Sequence, residues 1–134
     1  MDIEIFQKSF FRLKEAYERA KQFNYNDDYY FFRDSTIQRF EFTVECFWKT
    51  LKNFLLKKEG IACNSPKSCI KYFFKTDYIS EELAKELMKM IDDRNLTSHT
   101  YHEEIAEIIF KRMKNHINNL ELVLNTLQSF KEDL

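Results

Sequence analysis

The stretch IQRFEFTVECFWKTLKNFLLKKEG, residues 37–60, decides the fold class. Ile37, Phe40, Val44, Phe47, Trp48, Leu51, Phe54 and Leu55 recur three and four positions apart. That spacing draws one apolar stripe down a helix of 3.6 residues per turn, with polar residues on the other face. Asp34 or Ser35 offers a side-chain cap at the start, with a start a few residues earlier left open. Lys57 and Lys58 stand ahead of Gly60, the expected order of cations and glycine at a helix C-terminus. Trp48 shares the stripe and is expected to be largely buried.

The same grammar repeats on both sides. Residues 2–23 carry Ile3, Phe6, Phe10, Leu13, Tyr17 and Ala20 on one face. The polar and aromatic run NYNDDYYFFRDS, residues 24–35, reads as a packed connection rich in turn-forming Asn and Asp. Ser65-Pro66 places a capping Ser before a Pro at the first helical position, opening a short helix that buries Cys69, Ile70 and Phe73. Ser80 caps a fourth helix with Leu83, Leu87, Met90 and Ile91 inward. Thr100 and Glu103 form a capping box for a last helix, which carries Ile105, Ile109, Met113, Ile117, Leu120, Leu124 and Leu127 on one face. The predicted fold is all-α, an antiparallel bundle of four or five helices forming a single domain over residues 1–134.

Composition agrees. The chain holds one Gly and one Pro, where ordinary usage would supply about 9 and about 7. A sheet protein needs turn residues far more often. The 21 Lys and Arg against 22 Asp and Glu leave a net charge of −1, which excludes a global basic field for nucleic acid. RNA contact must then be local or arise where two chains meet. No apolar run is long enough to span a membrane, and the opening MDIEIFQKSF lacks the pattern of a signal peptide. A cytoplasmic protein is expected. Cys46, Cys63 and Cys69 are odd in number and suit neither a disulfide scaffold nor a zinc site by spacing, so they read as reduced, structural thiols. The excess of phenylalanine reads as a bulky core, with some rings available for an interface.

The chemistry concentrates in DDRNLTSHTYHEE, residues 92–104. Arg94 and His99 are five apart, which on an unbroken helix turns them about 140° from each other. A helix break in Asn95, Thr97 and Ser98 would let both point at one spot, beside the N-terminus of the next helix. Such an N-terminus attracts phosphate, and the Arg94 guanidinium offers a fork of donors matched to it. A neutral imidazole at His99 could take the proton from an RNA 2′-OH, whose oxygen then attacks the adjacent phosphorus while Arg94 stabilises the developing charge. No metal or cofactor is needed. The plainer alternative pairs Arg94 with Asp92 or another acid and leaves His99 a loop residue. Neither His102, Glu103 and His116 nor Glu41 and Glu45 fit a metal-ligand pattern; the two glutamates read as surface or dimer-facing charges.

The pattern in RNLTSHTY, together with IQRFEFTVECFWKTLKNFL (37–55) and SPKSCIKYFF (65–74), resembles the HEPN superfamily, specifically the HepT-like or nucleotidyltransferase substrate-binding proteins. The resemblance covers most of the chain, although Tyr72 and Phe73 stand where smaller residues are expected. It implies a homodimeric helical bundle partnered by a minimal nucleotidyltransferase. In the toxin–antitoxin form, Arg94 and His99 would be the catalytic pair of a metal-independent ribonuclease acting on RNA. Asn95 would support the site, and Tyr101 would accept AMP from the transferase. In the alternative form the chain is a non-catalytic subunit presenting a nucleotide substrate. A third class, a purely structural helical dimer, leaves Arg94, His99 and Tyr101 without a task.

Overall fold

The computed structural model describes residues 3–23 and 27–130. Six α-helices follow one another: α1 Ile3–Lys21, α2 Asp27–Glu59, α3 Pro66–Lys75, α4 Glu81–Leu96, α5 Glu103–Lys111 and α6 Met113–Gln128. A 3-10 turn, Thr97–His99, follows α4. No strand occurs among the described residues.

α2 is the spine. At 33 residues it runs for about 50 Å, and α1, α3 and α5 pack along it while α6 closes against α1 and α4. Its inward face is the expected stripe, with Phe40, Phe47, Leu51, Phe54 and Leu55 fully buried. Phe6, Phe10 and Leu13 of α1 meet it, and Phe6 lies 6.0 Å from Phe47 between ring centroids. At the far end Phe54, Phe73, Tyr78 and Phe130 form an aromatic cluster with centroid separations of 4.9–5.9 Å. Much of the phenylalanine excess is therefore core, as the tilted and edge-on geometries of buried rings favour. Phe11, Phe31 and Phe42 remain exposed.

Two caps are as read. Ser65 Oγ accepts from Ser68 N–H, and Ser80 Oγ accepts from Leu83 N–H. Gly60 takes a φ of +67°, the left-handed conformation that ends α2 without cost only for glycine.

Several expectations need correction. The run read as a connection up to Ser35 is helical from Asp27, because Tyr29 and Arg33 continue the stripe at i, i+4 ahead of Ile37 and all three are buried; Asp34 and Ser35 therefore lie inside α2. Asn24–Asn26 fall outside the described residues. The capping box at Thr100 is absent: His102 is the N-cap of α5, and Thr100 Oγ1 donates instead to Thr97 O. The single last helix is two, stepping at Arg112, so the described residues hold six helices. Trp48 is half-buried on the flank of the stripe, its Nε1 donating to Glu45 Oε2 at 3.1 Å. Cys63 and Cys69 form a disulfide. The loop after Gly60 folds back so that Cys63 meets the inward side of the first turn of α3, with Cα atoms 5.3 Å apart. Only Cys46 is free, and it is buried.

Candidate functional site at the end of the fourth helix

α4 continues without interruption through Arg94 and Asn95 to Leu96, then tightens into the 3-10 turn. The hydroxyls of the polar run explain the tightening. Thr97 Oγ1 donates to Arg94 O at 2.6 Å, Ser98 Oγ to Asn95 O at 3.2 Å, and Thr100 Oγ1 to Thr97 O at 3.1 Å. Each satisfies a carbonyl three residues back, the pattern by which Ser and Thr compete with α-helical bonding. The anticipated break is thus a gradual unwinding.

The expected site residues occupy this tip with little structural duty. Asn95, His99 and Tyr101 are exposed, Tyr101 to 73%. Tyr101 meets its neighbours' rings, 6.1 Å from His99 and 4.3 Å from His102 between centroids. Arg94 is half-buried, with Nη1 3.9 Å from Glu41 Oε2, a long contact that leaves the fork of donors largely unspent. Glu41 therefore faces the site. Glu45, on the next turn of α2, is held below the usual carboxylate range. Its partial burial opposes this, but bonds from Lys49 and Trp48 and the charges of Lys49 and Arg94 prevail. The N-terminus of α5 departs from expectation: Glu103 and Glu104 fill its first turn and already complement its dipole, so it offers a phosphate little.

Sequence reading missed the buried polar groups on either side. Asp93, 3% exposed, accepts from Arg112 Nη1 at 2.7 Å through one oxygen and lies 2.7 Å from His116 Nε2 through the other. Burial alone would raise its pKa; the bond and charge of His116 and the charge of Arg112 outweigh it and hold the carboxyl below the ordinary range. His116 stacks on Phe40 at 5.3 Å. An open cleft of about 630 Å³ runs beside Asp93, Arg112 and His116. On the other side Arg33, 1% exposed, grips Glu103 through Nη1 and Nη2 at 2.8 and 3.1 Å, Glu107 at 3.0 Å and Asp34 at 2.9 Å, beneath the Tyr30 ring. Tyr29 Oη also donates to Glu107, at 2.7 Å. Among the described residues no group of three His, Cys, Asp or Glu could hold a metal, and no helix is long and apolar enough to cross a membrane.

A family model described as nucleotidyltransferase substrate binding protein like matches residues 1–129. The chain belongs to the nucleotidyltransferase substrate-binding protein family. A crystal structure from Thermus thermophilus is 38% identical, covers 91% of this chain and 98% of that one, and superposes with a TM-score of 0.81. The tri-AMPylated HEPN toxin of Shewanella oneidensis, solved in complex with its MNT antitoxin, is 18% identical with a TM-score of 0.75 over 95% of this chain and 93% of that one. A Haemophilus influenzae structure described as the fold of a substrate-binding domain of a nucleotidyltransferase is 18% identical with a TM-score of 0.76, covering 95% and 99%. At such identities the likeness to the last two is one of fold, the HEPN-type helical fold. No curated protein sequence matches the chain. For a substrate-binding-family chain, the chemistry available at the tip of α4 is anion recognition by Arg94, proton transfer at an exposed His99 and modification of an exposed Tyr101 hydroxyl.

Proposed function

We propose that this chain is the HEPN subunit of a two-component module with a minimal nucleotidyltransferase, and that it is a toxin-type, metal-independent ribonuclease. The observation that supports this best is the lack of core-packing duty for Arg94, His99 and Tyr101, which share one tip of the bundle. In the proposed reaction His99 removes the proton from an RNA 2′-OH, and the freed oxygen attacks the adjacent phosphorus. The P–O5′ bond breaks, leaving a cyclic 2′,3′-phosphate and a 5′-oxygen that takes up a proton. Arg94 stabilises the charge on the phosphoryl oxygens, and Asn95 stands beside it as a polar support.

Neutralisation follows from Tyr101. Its hydroxyl oxygen attacks the α-phosphorus of ATP held by the transferase, the phenolic proton is released, the bond to the β-phosphate breaks so that pyrophosphate leaves, and the tyrosine carries AMP. The added phosphate charge and base then crowd the mouth meant for RNA phosphate. A dimer that brings two such tips together would supply the concavity that one small bundle does not. Incubating the chain with its transferase and ATP, followed by mass spectrometry, tests the assignment. The mass of adenylate should appear on the parent and be lost in Tyr101→Phe; adenylate persisting in that variant refutes Tyr101.

One observation favours the second reading, a non-catalytic subunit that presents nucleotide to the transferase. Glu41, Glu103 and Glu104 surround the tip, and the net charge is −1, so a long RNA gains little electrostatic help. Incubating RNA with the pure chain in EDTA separates the two: cleavage supports the ribonuclease, and intact RNA supports the silent subunit.

A further inference from the structure

The segment from Arg94 to His102 carries every residue of the proposed site, yet little in it fixes its own position. Asn95, Leu96, Ser98, His99, Tyr101 and His102 are exposed, and only Thr97 is buried. Its hydroxyl bonds close back onto its own carbonyls. The residues immediately outside it are of the opposite kind. Asp93, directly before Arg94, is buried and tied by its two oxygens to the start of α6. Glu103, directly after His102, is held by both terminal nitrogens of the buried Arg33, which takes Glu107 one turn further on as well.

We propose that Asp93 and Arg33 are positioning residues: two ionic clamps, each built on one buried charged side chain, that fix the ends of the Arg94–His102 segment and so set the placement of Arg94, His99 and Tyr101. This rests on the ribonuclease reading for what the placement serves, but not for the clamps themselves. Adhesion alone does not call for ions at these points, since apolar side chains of similar volume stabilise at least as well. What a hydrogen-bonded charge pair adds is register. A one-turn slip of α4 would strand the buried Asp93 away from Arg112 and His116, a state that is strongly disfavoured; a one-turn slip of α5 would cost Arg33 one of the two glutamates it holds. Catalytic groups on a short exposed segment gain most from such bracing, because small misplacements cost large factors in rate.

The test combines amide hydrogen exchange with cleavage kinetics on the full chain. Asp93→Asn and Arg33→Met each remove one clamp. Arg112→Gln, at a half-exposed partner of Asp93, provides the milder break should Asp93→Asn not fold. Arg33→Lys keeps the charge without the fork. Expected is exchange at residues 95–102 at least tenfold faster in the folded variants, with the centre of α2 unchanged. Cleavage should lose tenfold or more in kcat with KM nearly constant, and Arg33→Lys should recover only part of it. Unchanged exchange of this segment in folded variants overturns the clamps, and so does faster exchange with full cleavage. A parent chain that cleaves no RNA refutes the ribonuclease reading instead, and the exchange result then decides the clamps alone.

Discussion

His99 lies outside the core, so its removal should separate chemistry from folding. His99→Ala is expected to abolish cleavage while the melting temperature stays within about 2 °C of the parent, as for a surface substitution that changes stability by less than about 0.5 kcal/mol. Arg94→Ala should lose nearly as much activity, and Arg94→Lys should recover little, because a point charge cannot reproduce the forked contact. Tyr101→Phe should keep most cleavage. Asp93 makes a different claim, read from acid titration. Its folded-state pKa is depressed, so its contribution to stability is full above the ordinary carboxylate value of about 3.9 and is lost as pH falls through the depressed value. Asp93→Asn should flatten that part of the acid limb in a pH series of urea melts; an identical acid limb would show that Asp93 carries no linkage. The proposal for Arg94, His99 and Tyr101 rests on residue type and spacing, which the local sequence displays. The buried ions Asp93 and Arg33 could not be read from local sequence, because a buried ion is recognised by its partners: those of Asp93 stand 19 and 23 residues away, and of those of Arg33 only Asp34 is local, the two glutamates standing 70 and 74 away.

At the scale of elements, the apolar stripes and the Ser65 and Ser80 caps were readable, since both are local physics. The start of α2 was not: Tyr29 and Arg33 keep its register, but their side chains are types that turns and surfaces also use. The step at Arg112 had no Gly or Pro to announce it, and it coincides with the residue whose guanidinium reaches Asp93. His116 could have been found, because it sits beside Met113, Ile117 and Leu120 on a buried stripe. Trp48 shows the resolution of such reading, since a stripe has flanks as well as a centre. Phe47→Ala, at a fully buried position, should cost about 3–5 kcal/mol. Trp48→Ala should cost about 1–2 kcal/mol, as a half-buried position retains solvent on one side. Urea denaturation of the two variants checks the ordering, and a larger loss at Trp48 would contradict it.

For the whole molecule, the disulfide between Cys63 and Cys69 is the largest departure from the reduced thiols expected. A pairing across six residues depends on a loop folding back, which spacing alone does not reveal. Closing so short a loop is worth about 2 kcal/mol in the chain-entropy view, so a reductant should lower the melting temperature by several degrees; an unchanged melt would show that the bridge contributes nothing. Assembly is the other property of this scale. Light scattering should show a dimer at micromolar concentration, with protection around the end of α4 and the start of α5, and a monomer at every concentration would remove the shared cleft. The central claim, that the tip of α4 is a metal-independent ribonuclease site, is tested most directly by incubating a single-stranded RNA with the purified chain and with His99→Ala, both in EDTA. Expected is cleavage to cyclic 2′,3′-phosphate ends by the parent and intact RNA with the variant. Equal cleavage by both, or intact RNA with the parent, contradicts it.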